Sequence, residues 1–264
     1  MLEINRIYNM DCLEGMREIE DTTIDLTVTS PPYDNLREYK GYSFRFEETA
    51  KELFRITKQG GVVVWVVGDA TINGSETGTS FKQALYFKEI GFNLHDTMIW
   101  NKPNAFNFGS NSCYIQSFEY MFVFSKGKPK ATNHIYDRRN EAKGKIFTQF
   151  RRSGSNGEVV KTNKKTVTSE MGKRRNVWDI QVGNNEVEHP APYPEQLAND
   201  HILSWSNKGD IVLDPFLGSG TTAKMAIKNE RKYIGFEVAK EYYELALNRI
   251  KKEAGQGKIS KWFE

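Results

Sequence analysis

Short apolar runs and amphipathic stretches alternate along the chain. Residues 24–28 alternate apolar and polar positions, and residues 62–67 are apolar throughout, which is typical of a central strand covered on both faces. Residues 47–57 instead place Ala50, Leu53 and Phe54 at helical spacing. The alternation of strands and helices predicts an α/β fold with a mostly parallel, doubly wound sheet.

The same pattern gives a coarse map of the elements. Strands are predicted at 2–8, 24–28, 61–67, 92–100, 120–124, 210–214 and 232–237. Helices are predicted at 11–19, 47–57, 80–90, 195–205, 221–229 and 241–252. The stretch from about 125 to 181 has no clear period, so we expect a small insert at 126–181, between parts at 1–125 and 182–264.

Charge is distributed unevenly between this insert and the rest of the chain. The net charge is only +3, but residues 127–177 hold 14 Lys and Arg against 4 Asp and Glu. The remainder is therefore acidic. A basic segment on an acidic body is typical of a nucleic-acid-binding surface, and a solvated flexible loop is the alternative.

Composition excludes several classes of protein. No apolar run approaches the roughly 20 residues that span a bilayer, and the first residues lack a signal-peptide pattern. The two cysteines, Cys12 and Cys113, form no CxxC or Cys/His cluster, so we expect neither a disulfide framework nor a metal site. A reducing cytoplasm is the expected location.

The first candidate site follows the strand at 24–28. Thr29-Ser30-Pro31-Pro32-Tyr33 places a hydroxyl, a rigid carbonyl and an aromatic ring where two prolines end the strand. Ligands of open α/β sheets bind at the carboxyl ends of strands. The motif is therefore suited to holding a planar base, and an ordinary strand-ending loop is the alternative.

The second candidate site is a glycine turn between a strand and a helix. In residues 214–222, Gly218 and Gly220 let the backbone pass close to a ligand, and Glu237 ends the next strand, where a carboxylate can accept from ribose hydroxyls. The spacing also fits a dinucleotide-binding turn, and thus a nicotinamide-dependent oxidoreductase. Asp214 favours a cationic ligand over a pyrophosphate. A tight connection without a ligand is the remaining alternative.

Together the two motifs resemble the β class of DNA amino-methyltransferases. In that family the catalytic motif comes first, the target-recognition region second and the cofactor turn last, as in this chain. The resemblance implies a circularly permuted, Rossmann-like methyltransferase fold with one antiparallel strand. It also implies S-adenosylmethionine as cofactor and DNA as substrate. The insert at 126–181 then becomes the target-recognition region, between the catalytic and cofactor-binding halves.

Site residues follow from the resemblance by position. The catalytic motif comprises Ser30, Pro31, Pro32 and Tyr33, with Tyr33 stacked on a base flipped out of the duplex. The cofactor-binding residues comprise Asp11, Cys12, His189, Pro190, Pro194, Asp214, Pro215, Phe216, Gly218, Ser219, Gly220, Thr221 and Glu237. Asp11 is also expected to cap a helix, and Cys12 to be a small buried residue.

DNA contacts are expected from the basic insert and the rim of the site. The candidates are Arg37, Tyr39, Lys102, Arg138, Arg139, Arg151, Arg152, Lys173, Arg174 and Arg175. For Arg37, Tyr39 and Lys102, a solvated rim is an equally good interpretation.

Substrate and partners remain open at this point. In the family, Ser at the first catalytic position is commoner in cytosine-N4 enzymes and Asp in adenine-N6 enzymes, so Ser30 favours cytosine. A catalytically silent DNA-binding relative is a further alternative. The sequence leaves open a cognate restriction endonuclease and the choice between monomer and homodimer.

Overall fold

The computed structural model describes residues 2–32, 44–105, 113–153, 158–182 and 194–256. Within these ranges the chain forms two compact units. The main unit comprises Met1–Asn133 and Asn176–Glu264, and the small unit comprises His134–Arg175. The small unit lies within the sequence range predicted for the insert.

The described residues form fourteen strands and six helices. The strands are β1 Arg6–Tyr8, β2 Ile24–Thr29, β3 Thr57–Val67, β4 Thr71–Ile72, β5 Ser75–Glu76, β6 Asn93–Asn101, β7 Phe118–Ser125, β8 Arg138–Arg139, β9 Ile146–Ser153, β10 Glu158–Val167, β11 Met171–Gly172, β12 Val177–Asp179, β13 Ile211–Asp214 and β14 Lys232–Phe236. The helices are α1 Cys12–Arg17, α2 Phe46–Ile56, α3 Thr79–Glu89, α4 Glu195–Trp205, α5 Thr221–Lys228 and α6 Lys240–Gln256.

The main unit is built on an eight-stranded sheet with the order β1-β14-β13-β2-β3-β7-β6-β12. β7 runs antiparallel to its neighbours β3 and β6, whereas every other pair in this sheet is parallel. This confirms the prediction of a mostly parallel sheet with one antiparallel strand.

Helices cover both faces of this sheet. Apolar residues of α4, α5 and α6 pack with Leu26, Val28 and Val64 on one face. Those of α1, α2 and α3 pack with Val63 and Trp65 on the other. The side chains of β3 from Val62 to Val67 are fully buried, since successive residues point to opposite, equally covered faces.

A buried carboxylate joins three strands at the amino edge of the sheet. Asp25 accepts hydrogen bonds from the Lys58 and Lys130 ammonium groups and from the Ile211 backbone N–H. Lys130 also reaches Asp210 at 3.0 Å. Because these residues belong to or adjoin β2, β3 and β13, the cluster fixes the strands opposite the edge where ligands bind.

The boundary between α2 and β3 differs from the sequence prediction. The helix was expected to reach Thr57 and the strand to begin at Gly61, but the helix ends at Ile56 and the strand begins at once. Gly60 adopts a φ of 80° inside the strand, and its N–H donates to the Lys126 carbonyl. The glycine pair has the local sequence of a turn, but it lies inside β3 because Gly60 is hydrogen-bonded to Lys126, which is distant in sequence.

The small unit is made of β-structure. β9 and β10 form a two-stranded antiparallel ribbon with an irregular register between Lys161 and Lys165. β8 and β11 form a second, shorter pair. Arg174 donates through Nε to Asp137 at 2.7 Å, and Lys143 pairs with Glu170 at 2.6 Å.

In the described part of the chain, every helix is too short or too polar to cross a membrane.

Candidate active site

Four candidate residues lie at the carboxyl ends of four neighbouring strands. Asp11 follows β1, Glu237 follows β14, Asp214 ends β13 and Ser30 follows β2. These strands are adjacent and parallel in the order β1-β14-β13-β2. With about 4.8 Å between strands, the four positions extend over about 14 Å of one edge. Residues separated by up to 226 positions in sequence therefore form one row.

The Asp214 carboxylate is hydrogen-bonded to β2, to the glycine turn and to α5. Its side chain is 1% exposed. Oδ1 accepts from the Thr29 hydroxyl at 2.7 Å and from the Phe216 N–H at 3.1 Å, and Oδ2 accepts from the Thr222 hydroxyl at 2.6 Å. Burial of a carboxylate is tolerated because each oxygen is hydrogen-bonded.

The glycine turn follows Asp214 directly. Gly218 and Gly220 have φ values of 52° and 83°, in the left-handed region that favours glycine. Gly220 also precedes α5, and a Cβ atom built on it would lie 2.9 Å from the Cβ of Ala246 in α6. The turn therefore needs glycine at Gly220 both for its backbone angle and for close packing against α6.

Glu237 holds the other side of the turn. Its Oε2 accepts from the Gly218 N–H and its Oε1 from the Ala239 N–H, both at 2.8 Å. Burial raises the pKa of Glu237, and the nearby Asp214 raises it further, while the backbone N–H donors oppose both. The remaining lone pairs of this carboxylate can accept from a hydroxyl-bearing ligand.

Asp11 caps α1, as the sequence predicts. Oδ1 accepts from the Leu13 N–H at 2.9 Å and from the Glu14 N–H at 3.3 Å. Asn9 bonds the Glu237 carbonyl at 2.8 Å and thereby fixes the end of β1 against the end of β14. Cys12 is half-buried, and burial raises the pKa of its thiol to about 12.

Arg249 supports the turn from α6, a role that the sequence did not reveal. Nη1 donates to the Ser219 carbonyl at 2.7 Å and to its hydroxyl at 2.8 Å. Nη2 donates to Glu195 at 2.8 Å, and Lys224 donates to the same carboxylate at 2.7 Å. Glu195 begins α4 directly after Pro194, so one guanidinium joins the glycine turn to the start of α4.

The catalytic motif is described up to its second proline. Ser30 and Pro32 are partly buried and Pro31 is buried. Phe216 of the glycine turn lies edge-on to the rings of Phe44, at 5.3 Å, and Trp65, at 6.3 Å. Tyr33, Arg37, Tyr39, His189 and Pro190 lie outside the described residues.

The remaining cofactor candidates belong to the same turn and the first residues of α5. Pro215, Ser219 and Thr221 are buried, and Phe216 is partly buried.

The DNA-binding candidates occupy different settings. Lys102 forms an ion pair with Glu119 and lies 4.4 Å from the Trp100 ring centroid, with its side chain 18% exposed. Arg174 is engaged with Asp137. The exposed candidates of the small unit are Arg138, Arg139, Lys173 and Arg175. Arg151 and Arg152 lie on β9.

Comparison with known proteins gives matches over most of the chain. Residues 24–248 match a family described as DNA methylase. The chain is 59% identical over 241 residues to the orphan methyltransferase M.BamHII of Bacillus amyloliquefaciens, covering 88% of this chain and 91% of that one. It is 28% identical over 253 residues to the type II methyltransferase M.BglII of Bacillus subtilis, covering 92% and 68%.

Solved structures share the fold. PvuII DNA methyltransferase aligns with a TM-score of 0.69 at 20% identity, over 97% of this chain and 92% of that one. A DNA modification methylase of Thermus thermophilus in complex with S-adenosyl-L-methionine aligns with a TM-score of 0.64 at 24% identity, over 94% of each chain.

Proposed function

The chain belongs to the DNA methylase family, and we propose that it transfers a methyl group from S-adenosylmethionine to the exocyclic N4 amino group of cytosine in DNA. Membership of this family argues against a nicotinamide-dependent oxidoreductase, the alternative that the glycine turn alone left open. The observation that carries the proposal is the placement of Ser30 and Asp214 at the carboxyl ends of neighbouring strands, with their motifs joined by the hydrogen bond from Thr29 to Asp214.

The donor half of the row suits S-adenosylmethionine. The cofactor supplies an electrophilic methyl group on a positively charged sulfur. Glu237 offers acceptors for ribose hydroxyls, and Oδ2 of Asp11 receives no hydrogen bond within the described ranges, so it is placed to accept from an adenine amino group. Acidic side chains along the edge favour a cation, and Phe216 adds a partly buried aromatic ring to the turn two residues after Asp214.

The acceptor half suits an exocyclic amino group. Its nitrogen lone pair is delocalised into the base, so it is a poor nucleophile in the planar state. Hydrogen bonds from this amino group to the Ser30 hydroxyl and the Pro31 carbonyl favour a pyramidal nitrogen. Fixed acceptors that point to the developing positive charge lower the barrier without reorganisation.

Cys12 supports methylation of an amino group over methylation of a ring carbon. Methylation at cytosine carbon 5 proceeds through a nucleophilic thiolate, and the thiolate is the reactive form of cysteine. Cys12 lies beside Asp11 at the β1 end of the row, three strands away from Ser30, and so is not placed to attack a base held by the acceptor motif. Cytosine is preferred over adenine because Ser30 begins the motif, and the structurally similar PvuII enzyme is described as cytosine-N4-specific.

The small unit supplies the proposed DNA-binding surface. Exposed Lys161, Lys164 and Lys165 on β10 accompany apolar side chains that are more than half exposed, such as Val159 and Val167. A two-stranded ribbon of this kind is narrow enough for the DNA major groove, where lysines meet phosphates and apolar side chains meet thymine methyl groups. We therefore assign target recognition to this unit.

The test is methyl transfer followed by identification of the product. The protein is incubated with labelled S-adenosylmethionine and plasmid DNA from a strain without DNA methyltransferases, and the nucleosides are analysed by mass spectrometry. We expect N4-methylcytosine. N6-methyladenine would overturn the choice of base, and no transferred label would overturn methylation itself.

Variants locate the chemistry. Ser30→Ala removes one acceptor, so we expect about a 10²-fold loss of kcat with S-adenosylmethionine binding retained in calorimetry.

Tyr33→Ala should lose most activity and Tyr33→Phe should keep it, since base stacking needs the ring and not the hydroxyl. Equal loss of cofactor binding in Tyr33→Ala would contradict stacking. Ser75→Ala, on the β4–β5 hairpin, is the control.

A further inference from the structure

A buried hydrogen-bond bridge joins the acceptor motif to the donor turn. Thr29 is the last residue of β2 and directly precedes Ser30, while Asp214 is the last residue of β13 and directly precedes the turn. Thr29, Asp214 and Thr222 are 0%, 1% and 1% exposed. The bridge from Thr29 to Asp214 therefore lies out of reach of solvent.

The partners of Asp214 explain what this bridge controls. Besides the Thr29 hydroxyl, the carboxylate accepts from the Phe216 N–H inside the turn and from the Thr222 hydroxyl in the first turn of α5. Thr222 also lies 3.2 Å from the Val28 carbonyl of β2. One carboxylate thus sets the position of β2, the glycine turn and α5 relative to one another.

Resting on the proposed function, we infer that Thr29 is a positioning residue for methyl transfer. Its hydroxyl holds Ser30 and the acceptor base at a fixed distance from the cofactor turn, although Thr29 itself contacts neither substrate. The chemical step depends on this distance because transfer between two bound substrates needs a near-attack geometry, and a misplacement of about 1 Å costs about 10²-fold in rate.

Thr27 provides a matched control on the same strand. It points to the same face two residues earlier and is also 0% exposed. Its hydroxyl has no hydrogen-bond partner in the described ranges. Thr27 therefore fits the strand through its β-branched shape alone, whereas the Thr29 hydroxyl also donates to Asp214.

The variants Thr29→Val, Thr29→Ser and Thr27→Val separate positioning from binding and folding. For Thr29→Val we expect a 10- to 100-fold lower single-turnover rate, with the dissociation constants for S-adenosylmethionine and DNA within about threefold of wild type. Thr29→Ser keeps the hydroxyl and should restore the rate to within about threefold. Thr27→Val should keep the wild-type rate.

Several outcomes would overturn the inference. A wild-type rate in Thr29→Val would do so, as would an equal loss of rate in Thr27→Val. Loss of S-adenosylmethionine affinity by the same factor as the rate would show a role in the donor site alone. If Thr29→Val fails to fold, Thr29→Cys, which replaces the hydroxyl by a weak thiol donor of similar size, should lower the rate while Thr27→Cys should not. Failure of the proposed function is distinguishable, because the wild-type protein would then transfer no methyl group.

Discussion

Arg249 Nη1 lies 2.7 Å from the carbonyl oxygen of Ser219, so a side chain of α6 is hydrogen-bonded to the backbone of the glycine turn. The same guanidinium pairs with Glu195 at the start of α4. A planar group with several fixed donors can hold two elements in one geometry, which a lysine ammonium cannot reproduce.

Replacing Arg249 should therefore weaken binding of the cofactor more than it slows the chemistry. For Arg249→Met we expect about a 10-fold higher KM for S-adenosylmethionine with kcat within about threefold, since the turn loosens while Ser30 is untouched. Steady-state kinetics and calorimetry measure the two effects. Lys251→Met, an exposed position on the same helix, should leave both constants unchanged. A loss confined to kcat would contradict the assigned role.

Gly220→Ala should disturb the turn more than an alanine at another glycine with the same backbone angle. Gly74 has a φ of 79° and open space around it, so Gly74→Ala costs only the backbone strain of about 1 kcal/mol. Gly220→Ala adds a Cβ atom 2.9 Å from Ala246, which costs about 1–3 kcal/mol more. Denaturant unfolding gives both values. Equal losses of unfolding free energy in the two variants would show that α6 can move to accommodate the added Cβ atom without cost.

The free energy of unfolding should depend on pH through Asp25. Burial alone would raise its pKa, but the Ile211 N–H, Lys130 and Lys58 outweigh burial and lower the pKa below its ordinary value of 3.8. A lowered folded-state pKa contributes stability above the unfolded-state pKa, and this is lost as the pH falls through the folded-state value.

Asp25→Asn removes this contribution. At pH 7 we expect it to cost about 2 kcal/mol, because the hydrogen bonds of a buried carboxylate to two lysines are lost while both lysines stay more than a third exposed to water. The difference from wild type should shrink as the pH falls below about 4. Urea unfolding across this range measures it. If the stability difference between wild type and Asp25→Asn is constant with pH, the loss comes from packing and not from the charge of Asp25.

Phosphate contacts of the small unit should appear in the salt dependence of DNA binding. Arg139→Ala and Lys173→Ala should each reduce the slope of log K against log salt by about 0.9. Arg174 is less suitable because its loss also frees Asp137. Lys51→Ala, an exposed lysine of the main unit on α2, is the control. Unchanged slopes in both small-unit variants would contradict the assigned surface.

Long elements with a strong period were predictable from sequence. α4 has the predicted bounds, and the apolar core of β3 was recognised from its unbroken run. β12 was missed because three residues show no period. It exists through parallel pairing with β6, and Trp178 stacks on His201 at 4.6 Å.

Candidate site residues could be proposed from sequence where the chain carries a motif, and not where a residue's position depends on a partner distant in sequence. Ser30, Asp214 and Glu237 could be named from their neighbours in sequence. Nothing near Arg249 distinguishes it from an ordinary helix arginine, and Thr29 was named only as the residue before Ser30, without a role of its own. Their roles appear only when the sheet brings Ser219 and Asp214 within hydrogen-bond distance.

The neighbouring positions of β1 and β14 have a consequence for biosynthesis. β1 is synthesised more than 200 residues before the strand that it pairs with, which begins only at Lys232. At about 5–20 residues per second, this interval lasts about 10–45 s. For most of this interval β2 also lacks β13, and the apolar β3 belongs to an unfinished sheet. We therefore expect the main sheet to be completed only after Lys232–Phe236 has been synthesised, and a chain truncated before Lys232 to be more sensitive to proteolysis than the full chain.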